Sequence, residues 1–401
     1  MGEQLGQLIE VEISNVAHGG VMIARHEGRV VFVSDAIPGE RVRAVVSDDS
    51  KAKFWRADTV EVLDASPFRQ DHVWSAAALD RAPGDRAGGA EFGHITLEHQ
   101  RELKRTVLTE ALSRMAGIET DVVVEALPGA SDGTGWRTRV RLHAGEDGVI
   151  GPYAARSHQV IPVTDLPLAT ARLVAAAPLT GRFSGPVDVI APSQGPVLVL
   201  SDDREEEPIT ERVGEREFRL DARGFWQVHE AAAATLTQAV QNAVVPELFD
   251  PRAPNLDLYG GVGLLAAAIG DQYGRDIRIT SVESDARATG FAKDNLADWA
   301  DARATTARVD RFLTRMRVDG GRLDQATVIL DPPRSGAGKG VVDELAALSP
   351  AQVVYVACDP VALARDVALF ASRGYRVESI RAFDLFPNTH HVEAVATLVR
   401  S

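Results

Sequence analysis

From about residue 219 the chain alternates short β-branched runs with alanine- and leucine-rich stretches of helical length, and this alternation limits its fold more than any other feature. "NLDLYG" leads to "GVGLLAAAIG", "IRITSVES" to "DARATGFAKDNLADWA", "ATVILDPP" to "GKGVVDELAAL" and "QVVYVACD" to "PVALARDVALFASRG". Neighbouring strands joined through a crossover helix run parallel, and a parallel sheet needs helices on both faces. "RVESIRAFDLF" and "EAVATLVR" close the run with no helix between them. The pattern predicts a doubly wound, Rossmann-like α/β sheet with antiparallel strands at one end, entered through a helix at "FWQVHEAAAATLTQAVQNAVV".

Residues 1–66 have another texture. The runs "QLIEVEISNV", "GVMIAR", "RVVFVSD", "ERVRAVVSDD" and "FWRADTVEVLD" are separated by Gly-Gly, Glu-Gly and Pro-Gly punctuation. Five strands in this length predict a small antiparallel barrel of the OB kind, an architecture often used to bind oligonucleotides. Within it Arg41, Arg43, Lys51, Lys53 and Arg56 interleave with Phe54 and Trp55. That is the composition of a backbone-and-stacking surface, although Asp48 and Asp49 dilute it and an ordinary barrel edge has the same composition. The Pro- and Gly-containing stretch 66–93 marks a boundary, and "ITLEHQRELKRTVLTEALSRMAG" predicts a helix over 95–117 that Gly117 ends. "WRTRVRLHAGEDGVIGPYA" carries a hairpin signal at Asp147-Gly148, and the acidic run 201–208 reads as a solvated loop. The expected organisation is a barrel over 1–66, a central α+β domain over 67–218 and an α/β domain over 219–401, with helix 95–117 of the central domain packing on the last of the three.

Scarcity narrows the function classes. One cysteine in 401 residues excludes an intramolecular disulfide framework and any zinc or iron–sulfur site built from several thiolates. No run approaches ~20 uninterrupted apolar residues, and "MGEQLGQLIEVEIS" has neither a basic n-region nor an apolar h-region. A cytoplasmic, monomeric protein with no membrane partner is expected. The net charge of −14 argues against nucleic acid as a partner unless the cationic groups cluster locally.

In "NLDLYGGVGLLAAAIG" a strand runs into a glycine turn and then a helix, which offers backbone N–H groups to a ligand. Gly261, Gly263 and Ala266 satisfy G-x-G-x-x-A, with Glu283 downstream to hold a ribose hydroxyl. A nicotinamide site and an S-adenosylmethionine site both fit this pattern. Asp257 just before the turn, and Asp331 followed by two prolines in "VILDPPRSG", favour the methyl donor. The proline pair ends sheet pairing and makes a stiff loop at the carboxyl rim, where open sheets bind ligands. "SGAGKG" lacks the spacing and the hydroxyl of a phosphate loop.

The only thiol, Cys358, ends the strand after that of Asp331. A lone cysteine is usually a small buried hydrophobe. Here "DP" comes next and opens a helix, whose N-terminus lowers a thiol pKa, and "FPNTHHVEAVATL" supplies Glu393 from the last strands. With "GFWQVH", "DLYGGVG", "LDPPRSG" and "CDPVALARD", these motifs resemble the RNA 5-methyluridine methyltransferases, and the resemblance runs over nearly the whole chain.

The resemblance implies a class I S-adenosylmethionine-dependent fold with an N-terminal TRAM barrel, and a tRNA or rRNA substrate. It implies Cys358 as the nucleophile and Glu393 as the base. It also implies a cofactor pocket of Gln227, Tyr259, Gly261, Gly263, Glu283, Asp310 and Asp331, with Glu283 on the ribose, Asp310 on the adenine side and Asp331 on the methionine side. Ala90 and Leu166 stand where cluster-bearing members have cysteine, so no iron–sulfur cluster and no metal is expected. Leu264 replaces a polar residue, and Gly260 replaces a frequent cysteine without expected consequence. His390 and His391 are expected to be structural or RNA-facing. A nicotinamide oxidoreductase and a non-catalytic RNA-binding member of the fold are the competing readings.

Overall fold

The computed structural model describes residues 4–201 and 208–401, so most of the acidic run expected to be a loop lies outside the described residues. The N-terminal strands β1 (Leu8–Val16), β2 (Met22–His26), β3 (Arg29–Ser34), β4 (Arg41–Lys51) and β5 (Phe54–Asp64) close a barrel in the order β1-β2-β3-β5-β4. Along β1 every second residue faces inward, and Ile9, Val11 and Ile13 join Val31, Val33 and Val42 in the barrel core.

The expected stacking surface is divided by this packing. Trp55 is 6% exposed and belongs to the core, with the Arg29 guanidinium 4.5 Å from its ring centre. Arg41 pairs with Asp64 at 2.7 Å and Arg43 with Glu10 at 2.9 Å, and Glu61 also pairs with Arg43. These arginines stand opposite acidic residues in the β1–β4 and β4–β5 registers, which the linear order of residues does not display.

The middle of the chain wraps around the rest instead of standing apart. Helix α1 (Leu97–Ala116) ends at Gly117 in the left-handed conformation, as its sequence predicts. After it come β6 (Val124–Ala126), then β7 (Arg139–Ala144) and β8 (Ile150–Gly151), which pair across the Asp147-Gly148 turn. Helix α2 (Ala171–Ala176), β9 (Val187–Ile190) and β10 (Leu198–Leu200) complete a sheet ordered β10-β9-β7-β8, and β11 (Pro208–Val213) pairs with β12 (Arg216–Asp221). Ala90 and Leu166, 1% and 6% exposed, lie in the apolar cluster under this region with Trp74 and Trp136.

Helix α3 covers Ala232–Ala243 only, so the start expected at Phe225 is too early. Thr138 N–H donates to the Val228 carbonyl and Arg137 bridges His229, so the residues before the helix are held extended by a neighbouring segment. The alanine run beyond them has a helical periodicity that masks this tertiary pairing.

The remainder is β13 (Asn255–Leu258), α4 (Leu264–Tyr273), β14 (Ile279–Glu283), α5 (Ala286–Asn295), β15 (Ala302–Thr306), α6 (Val309–Val318), β16 (Thr327–Leu330), α7 (Gly338–Leu348), β17 (Gln352–Ala357), α8 (Pro360–Ala371), β18 (Tyr375–Asp384) and β19 (Glu393–Arg400). The large sheet runs β15-β14-β13-β16-β17-β19-β18-β6. Its first five strands are parallel, and β19 is inserted antiparallel between β17 and β18. Strand order reverses between β13 and β16, the place where such sheets bind ligands beyond the strands' carboxyl ends.

Two buried polar contacts fasten the middle region to this sheet. Lys104 of α1 reaches Asp384 at the end of β18 at 2.5 Å, with both side chains withdrawn from solvent. Gln100 Nε2 donates to Asn388 Oδ1 at 2.9 Å, and Asn388 N–H donates back to Gln100 Oε1 at 2.8 Å. β6 extends the same sheet at its far edge, parallel to β18.

Candidate active site

The carboxyl rim between β13, β16 and β17 collects most of the residues singled out by sequence. After β13 the chain turns sharply, with Tyr259 at φ 63° and Gly261 and Gly263 also at positive φ. For a tyrosine this conformation costs of order 1–3 kcal/mol and persists only where the surroundings enforce it. The enforcing group is Asp257, fully buried in β13, whose carboxylate accepts from Ala266 N–H at 3.3 Å and Ser281 Oγ at 3.2 Å.

Gly260 lies against that brace. A Cβ there would overlap Ser281 Oγ and stand 2.5 Å from Asp257 Oδ2, so in this packing a side chain at 260 requires those two groups to move.

A cleft of about 40 Å³ beside the turn is lined by Phe225, Trp226, Gln227, Tyr259, Gly260, Gly261, Leu264 and Asp331, among others. Glu283, the last residue of β14, accepts from Gly261 N–H at 3.2 Å and thereby touches the same turn. Asp310 sits apart from the cleft lining, in the first turn of α6, paired with Arg308 at 2.9 Å. It acts on the cleft through charge, adding to the burial that pushes the Tyr259 phenol up to about 12. Leu264, where a polar residue was expected, contributes an apolar side to the cleft.

Asp331 comes directly after β16, and its N–H donates to the Leu258 carbonyl at 3.2 Å, which ties the two strand ends together. Burial, with Asp257 adding repulsion, moves its carboxyl up to about 7. Asp257 itself is moved up to about 7 by burial, although the Ser281 and Ala266 hydrogen bonds oppose the shift. Of the two, only Asp331 lines the cleft, where its carboxyl group suits a cationic ligand.

Cys358 and Glu393 meet because β19 runs antiparallel to β17. Ala357 pairs with Ala394, so the next residues outward on the two strands face each other. Glu393 is 5% exposed, and its carboxyl is pushed well above the ordinary range by burial, with Asp331 adding to the shift. The thiol is pushed up to about 12, first by burial and then by Glu393 and Asp331, against an opposing effect of Arg334. The expectation that the helix beyond it would lower the thiol pKa therefore fails for the ligand-free protein. The N-terminus of α8 is already capped by Asp359, whose Oδ1 accepts from Ala362 N–H at 2.8 Å, and two carboxyl groups outweigh its dipole.

The thiol opens into a cavity of about 150 Å³, on the scale of a single pyrimidine ring. Its walls include Arg334, Asp359, His390 and His391, together with Phe92 and Lys104. Arg334, which no sequence motif had marked as functional, comes within 3.4 Å of His391 and is the cation that favours ionisation of both Cys358 and Glu393. His391 is pushed down to about 3 by burial and by His390, so it is neutral at physiological pH. Among the described residues no cluster of His, Cys, Asp and Glu forms a metal site. No helix among them is long and apolar enough to cross a membrane.

Comparison with known proteins supplies three likenesses. The family model described as tRNA (Uracil-5-)-methyltransferase matches residues 187–401, and the TRAM domain model matches residues 2–60. The chain is 39% identical to an uncharacterized RNA methyltransferase of Streptomyces avermitilis over 98% of both chains, and 38% identical to another of Streptomyces coelicolor over 98% of this chain and 93% of that one. In fold it is similar to the tRNA (uracil-54, C5)-methyltransferase of Pyrococcus abyssi, solved with S-adenosyl-L-homocysteine, with a TM-score of 0.70 and 22% identity over 99% of this chain and 100% of that one.

Proposed function

Because the chain belongs to the tRNA (uracil-5-)-methyltransferase family, we propose that it forms 5-methyluridine in a tRNA or rRNA, with S-adenosylmethionine as methyl donor and Cys358 and Glu393 as the reacting pair. Cys358 lines a pyrimidine-sized cavity and Glu393 stands opposite it on the neighbouring strand, and this juxtaposition carries the reading.

The side chains around the glycine turn suit the donor, and the cleft of about 40 Å³ has to widen to admit it. Its apolar side chains Phe225, Trp226 and Leu264 suit an adenine ring, Gln227 and Glu283 offer polar edges, and Asp331 is a carboxyl group awaiting a cation. When bound, the donor supplies an electrophilic methyl group on a positively charged sulfur. That charge also offsets the negative field of Asp331 and Glu393, which otherwise holds the thiol protonated.

Having given its proton to solvent, Cys358 adds as thiolate to uracil C6, which makes the ring an enolate and C5 nucleophilic. C5 takes the methyl group. Glu393, as carboxylate, removes the C5 proton, and the C6–S bond breaks to restore the ring and release the thiolate. Arg334 favours the ionised form of both reacting groups. A cavity of this size admits a base and not a stacked helix, so the target uridine is flipped out at a cost of roughly a few kcal/mol. The oxidoreductase alternative gives Cys358 and Glu393 no role.

The test is methylation of RNA from cells lacking the protein, with S-adenosylmethionine, and nucleoside mass spectrometry of the product. The expected product is 5-methyluridine at one mapped position. Absence of that nucleoside from tRNA and rRNA alike overturns the reading.

A further inference from the structure

The cavity above Cys358 has a wall that does not come from the catalytic sheet. The turn between β1 and β2, residues 17–20 of the barrel, lines it opposite Arg334 and His391. Ala17 N–H donates to the Val21 carbonyl at 2.8 Å and Gly20 N–H to the Ala17 carbonyl at 3.2 Å, so the turn has a defined shape. His18 Nε2 reaches across 341 residues of sequence to Asp359 Oδ2 at 2.8 Å. Asp359 is the neighbour of the thiol, and its other oxygen caps α8. One carboxylate therefore anchors both the helix behind the nucleophile and the barrel in front of it.

The fit is close at a second point. Gly20, at φ 74°, packs on His390, and a Cβ at that position would stand 2.5 Å from His390 Cβ. Just beyond, His390 Nδ1 and Glu91 Oε2 are 3.6 Å apart, shielded from solvent and without a hydrogen-bond partner among the described residues.

Building on the function proposed above, we propose that the β1–β2 turn, seated by the His18–Asp359 contact, is a working wall of the target-base cavity, so that the RNA-binding barrel orients the uracil against Cys358 and governs access to the thiol. His18 is then a positioning residue. It acts through Asp359 and the closed turn, and takes no part in proton or methyl transfer. The barrel does more than hold RNA at a distance, because the cavity is incomplete without it.

Cys358 is the only thiol in the chain, which gives a readout independent of methylation. Alkylation of the full-length protein by iodoacetamide, a neutral reagent, is monitored by mass spectrometry at one fixed pH for wild type, His18→Ala and Gly20→Ala. Both variants are expected to react roughly tenfold faster, the factor that corresponds to losing one hydrogen bond to a charged group. Removing a cationic imidazole would by itself disfavour the thiolate and slow the reaction, so acceleration reports access and not a shifted thiol. Gly20→Ala leaves His18, Asp359 and the α8 cap in place, so its acceleration separates an opened turn from loss of α8. Equal alkylation rates in wild type and both variants overturn the proposal. With a methylatable RNA, His18→Ala should lower kcat; a raised KM with kcat unchanged would reduce the barrel to a tether and also overturn it. If no RNA is methylated, the function reading fails while the alkylation result still decides whether the turn covers the thiol.

Discussion

Glu393 and Cys358 stand opposite each other one position beyond the Ala357–Ala394 pair, and after burial the carboxyl group is the main reason the thiol resists ionisation. The base of the proposed reaction thus holds its partner nucleophile in the unreactive form until positive charge or substrate arrives. This arrangement protects a lone thiol from alkylation and oxidation between turnovers.

The two residues are expected to stop the reaction at different stages. Cys358→Ala abolishes methylation and leaves no covalent species, since C5 is never activated. Glu393→Gln retains the shape but removes the base, so addition and methyl transfer proceed while elimination stalls. Its product is protein joined to methylated RNA, visible on a denaturing gel as a band that ribonuclease shortens. A buried structural cysteine would instead give an active, destabilised Cys358→Ala protein and no adduct in any variant.

Donor affinity should depend on pH through Asp331. Its carboxyl titrates near 7, above the ordinary carboxylate range, because of burial and Asp257. A cation binds the ionised form, so affinity rises as pH increases through that value and falls below it. With the ionised fraction dropping from most to about a tenth, S-adenosylmethionine should bind roughly tenfold more weakly at pH 6 than at pH 8. Calorimetry at the two pH values checks this, with Asp331→Asn expected to bind weakly at both and to show no such slope.

Gly260→Ala should destabilise the protein by about 1–3 kcal/mol in denaturant melts, the usual cost of overpacking. Its Cβ has to displace Ser281 Oγ and crowd Asp257. Adding Ser281→Ala to the same chain should restore part of the loss. Full independence of the two substitutions would mean that the turn relaxes in some other way.

The Lys104–Asp384 pair offers a stability test, read in denaturant melts because Lys104 also lines the cavity above Cys358. Lys104→Met leaves Asp384 buried and unpaired and should cost about 3–5 kcal/mol, whereas Lys104→Met combined with Asp384→Leu should recover much of it. Equal losses in the single and double variants would show that α1 is held to the sheet by packing alone.

The sequence was legible where its information is local. Strand–helix alternation after β13, the barrel's short strands and the Gly117 stop are all set by periodicity and turn chemistry within a few residues. The candidate cleft was nearly as readable, because its residues lie just past strand ends and a doubly wound sheet gathers those ends on one rim. Three features depended on distant contacts and stayed hidden. His18 meets Asp359 only because the barrel folds back over the sheet. Val228 and His229 are held out of the helix because Thr138 and Arg137 pair with them. The thiol's raised pKa comes from burial beside two carboxyl groups that are far from it in sequence. Asp310, matched by motif, is paired with Arg308 and reaches the cleft through its charge on Tyr259.

The clasp between α1 and the far end of the large sheet also bears on how such a chain can be recombined. The segment from residue 219 onward looks like a portable cassette, but cutting there would strand the Asp384 carboxylate without its ammonium group and Asn388 without the Gln100 amide. It would also bare the edge of β18 that β6 covers. A graft of the catalytic half into an unrelated protein should therefore be insoluble unless α1 and β6 travel with it. The barrel is tied in as well, through the Glu40–Arg69 and Asp35–Arg86 pairs and through Phe92, Ile95 and Leu103 in its core, and a substitute would also have to present a histidine to Asp359 and a glycine to His390.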